Sequence, residues 1–149
     1  SEGKCESYLV RHPKDRKKYC SEKFHEESTP KGKLAITHYK LIKEYSCGLS
    51  LVECRLETGR THQIRVHLSE LGHPLIGDRV YGSDKRAKNL KSTKLRGMIN
   101  KLQRVGLHAM ELGFEHPHSG ENLKYTQPWP DDMSGIFEFC EREKDESDR

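Results

Sequence analysis

The chain has 149 residues, a formal net charge of +4 at pH 7 and a mean hydropathy of −0.93. This length allows one domain, no stretch approaches the ~18 apolar residues that span a membrane, and no signal-peptide pattern stands at the N-terminus. Because 32% of the residues are hydrophobic and 34% are charged, we expect a thin core. Two explanations of this low apolar content are open. The chain is either a strand-rich portion of a domain whose partner strands are missing, or a domain with two solvated, lysine-rich insertions.

Two paired strands are predicted at residues 34–45 and 49–57, because both segments alternate in polarity and Cys47–Gly48 supplies a turn between them. A short helix is predicted at 62–71, with Thr61 as its cap and Ile64, Leu68 and Leu71 as its apolar stripe. Gly72, followed by His73 and Pro74, ends that helix. Residues 76–82 are expected to form a turn and a short extended piece.

The second half of the chain is less regular. Residues 86–104 are predicted to form a marginal helix, residues 107–115 and 121–127 a hairpin around His118–Ser119–Gly120, and residues 132–144 a closing helix. Beyond Glu141 the charge density predicts a disordered tail. These elements indicate an α+β fold, with a mainly antiparallel or mixed sheet and a few short helices.

Five cysteines occur in the chain, at positions 5, 20, 47, 54 and 140, and no two of them form a CxxC pair. The odd number and the spacing argue against a disulfide framework and against a zinc ribbon. Reduced thiols in a cytoplasmic protein are the natural interpretation, although an organelle remains an alternative location if a transit peptide has been removed.

Basic residues are concentrated in two segments. Residues 84–104 contain eight of them against the single acid Asp84, including Lys85, Arg86, Lys88 and Lys91. Residues 11–18 contain five against Asp15, including Arg11, Arg16, Lys17 and Lys18. Such runs gain affinity for a polyanion by releasing its counterions, but a basic run is also the ordinary composition of a solvated surface.

The densest group of chemically active side chains is Gly59–His67, with the sequence GRTHQIRVH. It contains two arginines, two histidines and a glutamine where a predicted strand leads into a predicted helix, a place where anions bind readily. The composition is too polar for a core and too regular for a linker. We therefore interpret this segment as a functional site.

Residues 56–82 resemble a signature of the pseudouridine synthases that modify ribosomal and transfer RNA, in the branch containing the bacterial large-subunit rRNA enzymes. Residues 11–18 and 31–45 are similar to blocks that precede this signature, and residues 107–133 to the hairpin and proline-rich segment that close the domain. The resemblance covers residues 1–140, with a basic insertion at 84–105. Residues 141–149 form the charged tail.

This resemblance implies an isomerase that converts uridine to pseudouridine without a cofactor, using one aspartate. The family places that aspartate in an HRLD block and follows it with a tyrosine that stacks on the target base; neither is present here. Gly77–Asp78–Arg79 matches a different place in the family pattern. We therefore expect the chain to be the C-terminal part of a catalytic domain that is inactive alone.

The same resemblance assigns roles to individual residues. Arg65 would orient the absent catalytic aspartate, because an arginine lowers a carboxylate's pKa and binds it through two parallel N–H groups. Arg60, His62 and Gln63 would contact phosphates or base edges, with Gln63 the weakest candidate. For His67, His73 and His108 a hydrogen-bonded packing role is expected.

Three functions remain open at this stage. They are an RNA pseudouridine synthase present in part, a non-catalytic RNA-binding protein derived from the same fold, and a metal-binding protein. His62 and His67 are five residues apart and do not share a helix face, and His116 and His118 flank Pro117 without a matching second pair. No metal site is therefore expected. The resemblance implies that no cofactor is needed and that RNA (rRNA or tRNA) is the partner, and the lack of a long apolar stretch predicts no membrane partner.

Overall fold

A four-stranded antiparallel sheet forms the framework of the fold. The computed structural model describes residues 1–23, 29–107, 111–115, 122–126 and 128–147, and for 111–115, 122–126 and 144–147 only the backbone. The strands are β1 (Glu2–Arg11), β2 (Tyr19–Ser21), β3 (Lys33–Glu44) and β4 (Ser50–Leu56). Their order in the sheet is β2-β1-β3-β4, and each neighbouring pair is antiparallel.

The hairpin formed by β3 and β4 confirms the two strands predicted from alternating polarity. Gly48 has a φ of 96° at the turn, a conformation that glycine adopts without steric cost. The Gly48 N–H donates to the carbonyl of Tyr45 at 3.0 Å, and the Tyr45 N–H donates to that of Leu49 at 2.9 Å. The register shifts between Leu41 and Lys43, which the alternation did not predict.

Helix α1 (Gln63–Glu70) packs on one face of the sheet. Its Val66 is buried together with Leu9, Ala35 and Tyr81 in a small core. The predicted apolar stripe is only partly correct, because Leu68 is buried but Leu71 is 45% exposed. The helix face that carries Val66 packs against the sheet instead.

Both ends of α1 have a defined geometry. Gly72, with a φ of 89°, donates to the carbonyl of Ser69, and the His73 N–H donates to that of Leu68, which confirms that the helix stops at Gly72. The predicted cap at Thr61 is wrong. The N-cap residue is His62, in a left-handed conformation and without a side-chain cap bond.

The segment after α1 consists of successive turns, so the extended piece predicted within 76–82 is not formed. Two helices follow, α2 (Ser83–Ala87) and α3 (Thr93–Lys101), where a single helix over 86–104 was predicted. The break has a local cause, because the Ser92 hydroxyl accepts the Leu95 N–H at 3.1 Å and so begins a new helix.

A second core lies between α3, the 45–48 turn and α4 (Asp131–Ser147). Its buried residues are Tyr45, Cys47, Leu95, Ile99, Leu102, Met133, Ile136 and Cys140. The closing helix is thus confirmed. Its backbone continues to Ser147, over most of the tail for which disorder was predicted; the ion pair between Glu138 and Arg142 lies at the start of that extension.

The predicted hairpin is present as β5 (Glu111–Glu115) and β6 (Asn122–Thr126), which pair antiparallel in a separate two-stranded sheet. Its predicted turn at 118–120 lies outside the described residues, as do His108, His116 and His118. The α+β class is confirmed. Among the described residues no helix is both long and apolar enough to cross a membrane.

Candidate RNA-contacting and catalytic site

Arg65 lies in the first turns of α1 and forms a two-bond ion pair with Asp78. Its Nε donates to Asp78 Oδ2 at 2.8 Å and its Nη2 donates to Oδ1 at 3.0 Å. Asp78 is 1% exposed, and its Oδ1 also accepts the Tyr81 N–H at 3.3 Å. The hydrogen bonds to Asp78 raise the pKa of Arg65, which therefore carries its charge at all ordinary pH values.

The guanidinium of Arg65 is held on a second side by an aromatic ring. Its Cζ lies 5.0 Å from the centre of the Tyr81 ring, within the range of a cation–π contact. The Arg65 side chain keeps 19% of its surface exposed. The partner that the structure gives to Arg65 is thus a carboxylate of this chain, to which sequence reasoning assigned no role. Asp78 is the only acid between Glu70 and Asp84, and this isolation is the signal that could have identified it.

His62 lies beside this ion pair at the start of α1. Its Nδ1 is 2.8 Å from the Tyr81 hydroxyl, which also accepts the Tyr19 N–H at 2.8 Å. The His62 ring meets the Tyr19 and Tyr81 rings edge-on, with centroids 5.5 and 5.6 Å apart. Burial, and then the nearby charge of Arg65, lower the pKa of His62.

Gln63 has a structural position. It is 3% exposed, and its Nε2 donates to the Ile36 carbonyl and to Thr37 Oγ1 at 3.0 and 2.9 Å. Its Oε1 accepts the Arg60 N–H at 3.0 Å and the Thr58 hydroxyl at 2.7 Å. A glutamine amide offers two donors and one oxygen acceptor, so no group remains for the RNA contact expected of Gln63.

His67 belongs to the same buried network, which confirms its packing role. Its Nδ1 lies 2.7 Å from Thr37 Oγ1 and its Nε2 lies 2.9 Å from Ser7 Oγ. The Ser21 hydroxyl donates to Ser7 Oγ at 2.8 Å, so the network joins three strands to α1. Burial lowers the pKa of His67, against the opposing effect of Glu70. His73, in contrast, is exposed, which does not fit the packing role expected of it.

A basic cavity of about 420 Å³ opens beside the site. It is lined by Leu9, Val10, Arg11, Tyr19, Lys31, Gly32, Lys33, Gly59, Arg60 and Thr61. Four of these residues are cationic and none is acidic, so an anion would enter without a like charge to repel it. Arg60 Nε donates to the Leu34 carbonyl at 2.8 Å, which fixes the Arg60 side chain against β3.

The loop between β1 and β2 holds the predicted basic residues at the same end of the sheet. The backbone N–H groups of Lys14 and Asp15 both donate to His12 Nδ1, at 3.1 and 3.0 Å. Arg11 donates to the Arg16 carbonyl at 2.9 Å and to the Tyr19 hydroxyl at 3.0 Å. Arg16 and Lys17 are exposed, whereas Lys18 lies with its Nζ 6.0 Å from the centre of the Tyr81 ring. The loop therefore connects the cavity to the Arg65 site.

The other predicted basic residues, Lys85, Arg86, Lys88 and Lys91, are exposed on and after α2. Arg86 donates to the Gly72 carbonyl, which links α2 to the end of α1. Within the part of the chain that the structure describes, no cluster of three metal-ligating side chains occurs.

Comparison with known proteins gives a consistent result. Residues 1–70 match the family model described as RNA pseudouridylate synthase. The ribosomal large subunit pseudouridine synthase D of Vibrio parahaemolyticus is 46% identical over 117 residues, which cover 78% of this chain and 36% of that protein. The protein of the same name from Neisseria meningitidis is 42% identical over 132 residues, which cover 89% of this chain and 33% of that protein. The chain thus spans about a third of the length of these relatives.

Two solved human structures share the fold. RNA Pseudouridylate Synthase Domain Containing 1 aligns over 91% of this chain and 52% of its own, with a TM-score of 0.63 and 26% identity. RNA Pseudouridylate Synthase Domain Containing 4 aligns over 95% of this chain and 57% of its own, with a TM-score of 0.64 and 23% identity. By sequence and fold together, this chain belongs to the RNA pseudouridylate synthase family, in the branch that includes the bacterial large-subunit rRNA enzymes.

Proposed function

We propose that residues 1–140 are the C-terminal portion of a catalytic domain that isomerises uridine to pseudouridine in rRNA or tRNA. In that reaction the C1′–N1 bond of uridine breaks, the uracil turns, and a C1′–C5 bond forms, with the C5 proton released and a proton taken up at N1. No electron is gained or lost overall. The basic segment 84–105 is then an insertion in this domain, and the protein acts in the cytoplasm with RNA as its partner.

The fixed guanidinium of Arg65 is the observation that carries this proposal. Asp78 occupies the edge formed by Nε and Nη2, and the guanidinium lies over the Tyr81 ring. Among the residues that the structure describes, no hydrogen bond to Arg65 Nη1 is found. An arginine with its plane fixed and an edge available is suited to receive a second carboxylate, because its N–H groups lie in a rigid fork.

Asp78 itself does not fit the role of the reacting aspartate. It is buried, and both of its oxygens accept hydrogen bonds from Arg65, so a ribose could not approach it. We infer that the reacting carboxylate comes from an HRLD block outside these 149 residues and meets Arg65 from the exposed side. Arg65 would then keep that carboxylate ionised and oriented.

The basic cavity, whose lining residue Tyr19 contacts His62, supports RNA as the substrate. Arg11, Lys31, Lys33 and Arg60 would contact phosphates that flank the target uridine, and Arg16, Lys17 and Lys18 would extend this contact along the loop. The target base must leave its stack to be modified, so the protein needs to hold the RNA backbone on both sides of it. Phosphate contacts of this kind fix register without reading sequence.

A second candidate function is a non-catalytic RNA-binding protein of the same fold. It is favoured by one observation, namely that this chain supplies all the cationic residues of the basic cavity. Under this alternative the exposed lysines and arginines of 84–105 are the main binding surface.

Two measurements separate these functions. The first is the coding sequence upstream of the Ser1 codon, where an in-frame HRLD block supports the enzyme and its absence supports the binding protein. The second is tritium release from RNA that carries 5-tritiated uridine, since the isomerisation replaces the hydrogen at C5. If the longer protein that contains the HRLD block binds RNA but releases no tritium, the proposed activity is overturned.

A further inference from the structure

His62 has an unusual backbone for a histidine. Its φ is 57°, and it is the one non-glycine residue with a positive φ in the part of the chain that the structure describes. Residues other than glycine rarely adopt this conformation, and they keep it where the surrounding structure enforces it, often at functional sites. Here the His62 carbonyl accepts the Val66 N–H at 2.9 Å and the ring is hydrogen-bonded to Tyr81. The hydrogen bond to Tyr81 and the edge contacts with Tyr19 and Tyr81 therefore hold this ring in one orientation.

The hydrogen bonds around Tyr81 favour one of the two neutral tautomers of His62. A backbone N–H can only donate, so the Tyr81 oxygen accepts from Tyr19. The single hydroxyl proton of Tyr81 is then available to His62 Nδ1 at 2.8 Å; among the described residues no other acceptor for it is found. If it is donated there, Nδ1 is the acceptor, and a neutral imidazole then carries its proton on Nε2.

The charges around the ring favour the neutral form. The charged groups that face His62 are Arg65 on its own helix, Arg11 on β1 and Asp78 in the turn before α2. Burial and the two arginines act against protonation, and only Asp78 acts in its favour. Nε2 lies on the side of the ring away from Nδ1 and its Tyr81 contact, and the residue as a whole is partly exposed.

We propose that His62 contacts the substrate directly, giving its Nε2–H to an oxygen atom of bound RNA while Tyr81 holds it in that tautomer. This inference rests on the proposed RNA-modifying function. It makes Tyr81 a positioning residue with two tasks, since its hydroxyl fixes the His62 tautomer and its ring covers the Arg65 guanidinium. The Tyr81 side chain thus holds two neighbouring groups, the His62 ring and the Arg65 guanidinium, in position to contact RNA.

The tautomer is tested first, by recording the ¹⁵N shifts of the imidazole nitrogens in the 149-residue chain by NMR. We expect a neutral ring with the proton on Nε2. In Tyr81→Phe the hydroxyl is lost and Nδ1 should no longer be held as an acceptor, so the spectrum should move toward exchange between the two tautomers. A wild-type ring protonated on Nδ1 would overturn the inference.

The contact itself is tested by the affinity of variants for a short oligouridylate RNA. His62→Gly keeps the left-handed backbone without strain and removes the donor, and we expect affinity to fall roughly three- to tenfold, as for one lost hydrogen bond. His62→Gln, which can place an amide N–H near the Nε2 position, should recover part of this loss. His38→Gln is the control, because His38 pairs with the exposed Glu57 rather than with any residue of the site.

The outcomes are distinct. Unchanged affinity in His62→Gly, with the wild-type chain binding normally, overturns the contact while leaving the proposed function intact. A wild-type chain that fails to bind oligouridylate at low salt overturns the RNA-binding role and this inference with it. If His62→Gly and His62→Gln lose affinity equally at unchanged thermal stability, then donation from Nε2–H to RNA is excluded as the source of the affinity.

Discussion

Arg65 and Asp78 face each other across 13 residues of sequence and are joined by two hydrogen bonds, of 2.8 and 3.0 Å. The pairing is asymmetric, because Asp78 is almost fully buried while Arg65 is exposed along part of its side chain. A buried carboxylate depends on its partner far more than an exposed cation does. Asp78 therefore anchors Arg65, and Arg65 in turn makes the burial of Asp78 possible.

Replacing Asp78 with Asn should destabilise the chain. The amide keeps the size of the side chain but lacks the charge, and it turns an NH₂ group toward either Arg65 or Tyr81. Removing one partner of a buried ion pair costs about 3–5 kcal/mol, and the partial exposure of Arg65 places this case at the lower end. Urea unfolding followed by circular dichroism measures the difference.

Asp84→Asn provides the matched control, because Asp84 is an exposed acid in the first turn of α2. It should change the free energy of unfolding by no more than about 0.5 kcal/mol, as most surface substitutions do. If the two variants were equally stable, the ion pair would not be the anchor described above.

Sequence patterns predicted the parts of the fold that depend on near neighbours. Alternating polarity located β3 and β4, and Gly72 marked the end of α1 with its correct geometry. Ser92 was a readable signal that was missed, since a serine three residues before Leu95 is typical of a helix start. The single helix predicted over 86–104 failed for this local reason.

The details of the site could not be predicted, because they depend on distant residues. His62 is held in a left-handed conformation beside Tyr81, 19 residues further on, and no local pattern specifies such a contact. Gln63 has the polarity of a surface residue but is buried, since β3 supplies partners for its amide. Arg65 was identified from the resemblance, whereas its pairing with Asp78 depends on the turn that contains Gly77, where φ is 74°.

The stability of the chain should fall on acidification below pH 6.5, in part because of His67. Burial lowers the pKa of this residue in the folded state below its ordinary value of 6.5, so the unfolded chain binds the proton more readily. Its contribution to stability is complete above pH 6.5 and is lost as the pH falls through the folded pKa. For this one group the slope cannot exceed about 1.4 kcal/mol per pH unit.

The measurement compares free energies of unfolding at about pH 7.5 and about pH 5.5 in wild-type and His67→Gln chains. The variant should be less stable at the higher pH, since Ser7 and Thr37 lose a well-placed partner. It should also lose less on acidification. An identical pH dependence in both chains would rule out His67 as the titrating group.

Neutralising Lys85, Arg86, Lys88 and Lys91 together, each to Gln, should weaken RNA binding and flatten its salt dependence. Each lost phosphate contact lowers the slope of log K against log salt by about 0.7–0.9. Titration of RNA at several KCl concentrations measures both quantities. Neutralising Lys4 and Lys40 provides the comparison, because these exposed lysines lie on the sheet outside the cavity and the basic loop. Unchanged affinity and slope in the first variant would make the segment an ordinary solvated insertion.

The 149-residue chain alone should not isomerise uridine. It holds the arginine that orients a carboxylate, but the carboxylate that Arg65 contacts here is buried and has both oxygens occupied. Tritium release from RNA containing 5-tritiated uridine is the assay. Turnover by the purified chain would show that another of its residues serves as the reacting group, and Asp78→Asn would then be the first variant to assay.

Arg65→Lys, made in the form of the enzyme that carries the HRLD block, should remove most turnover while leaving RNA binding nearly intact. A lysine keeps the positive charge but cannot bind Asp78 and a second carboxylate through a planar fork. Orientation matters most in the transition state, so the loss should fall on kcat, by on the order of 10²-fold.

Arg60→Lys is the control. Arg60 lines the basic cavity, and a phosphate contact tolerates a point charge, so this variant should mainly raise KM. Thermal unfolding of both variants ensures that kcat is compared between folded proteins. If both substitutions raise KM equally and spare kcat, then Arg65 binds RNA and does not orient the reacting aspartate.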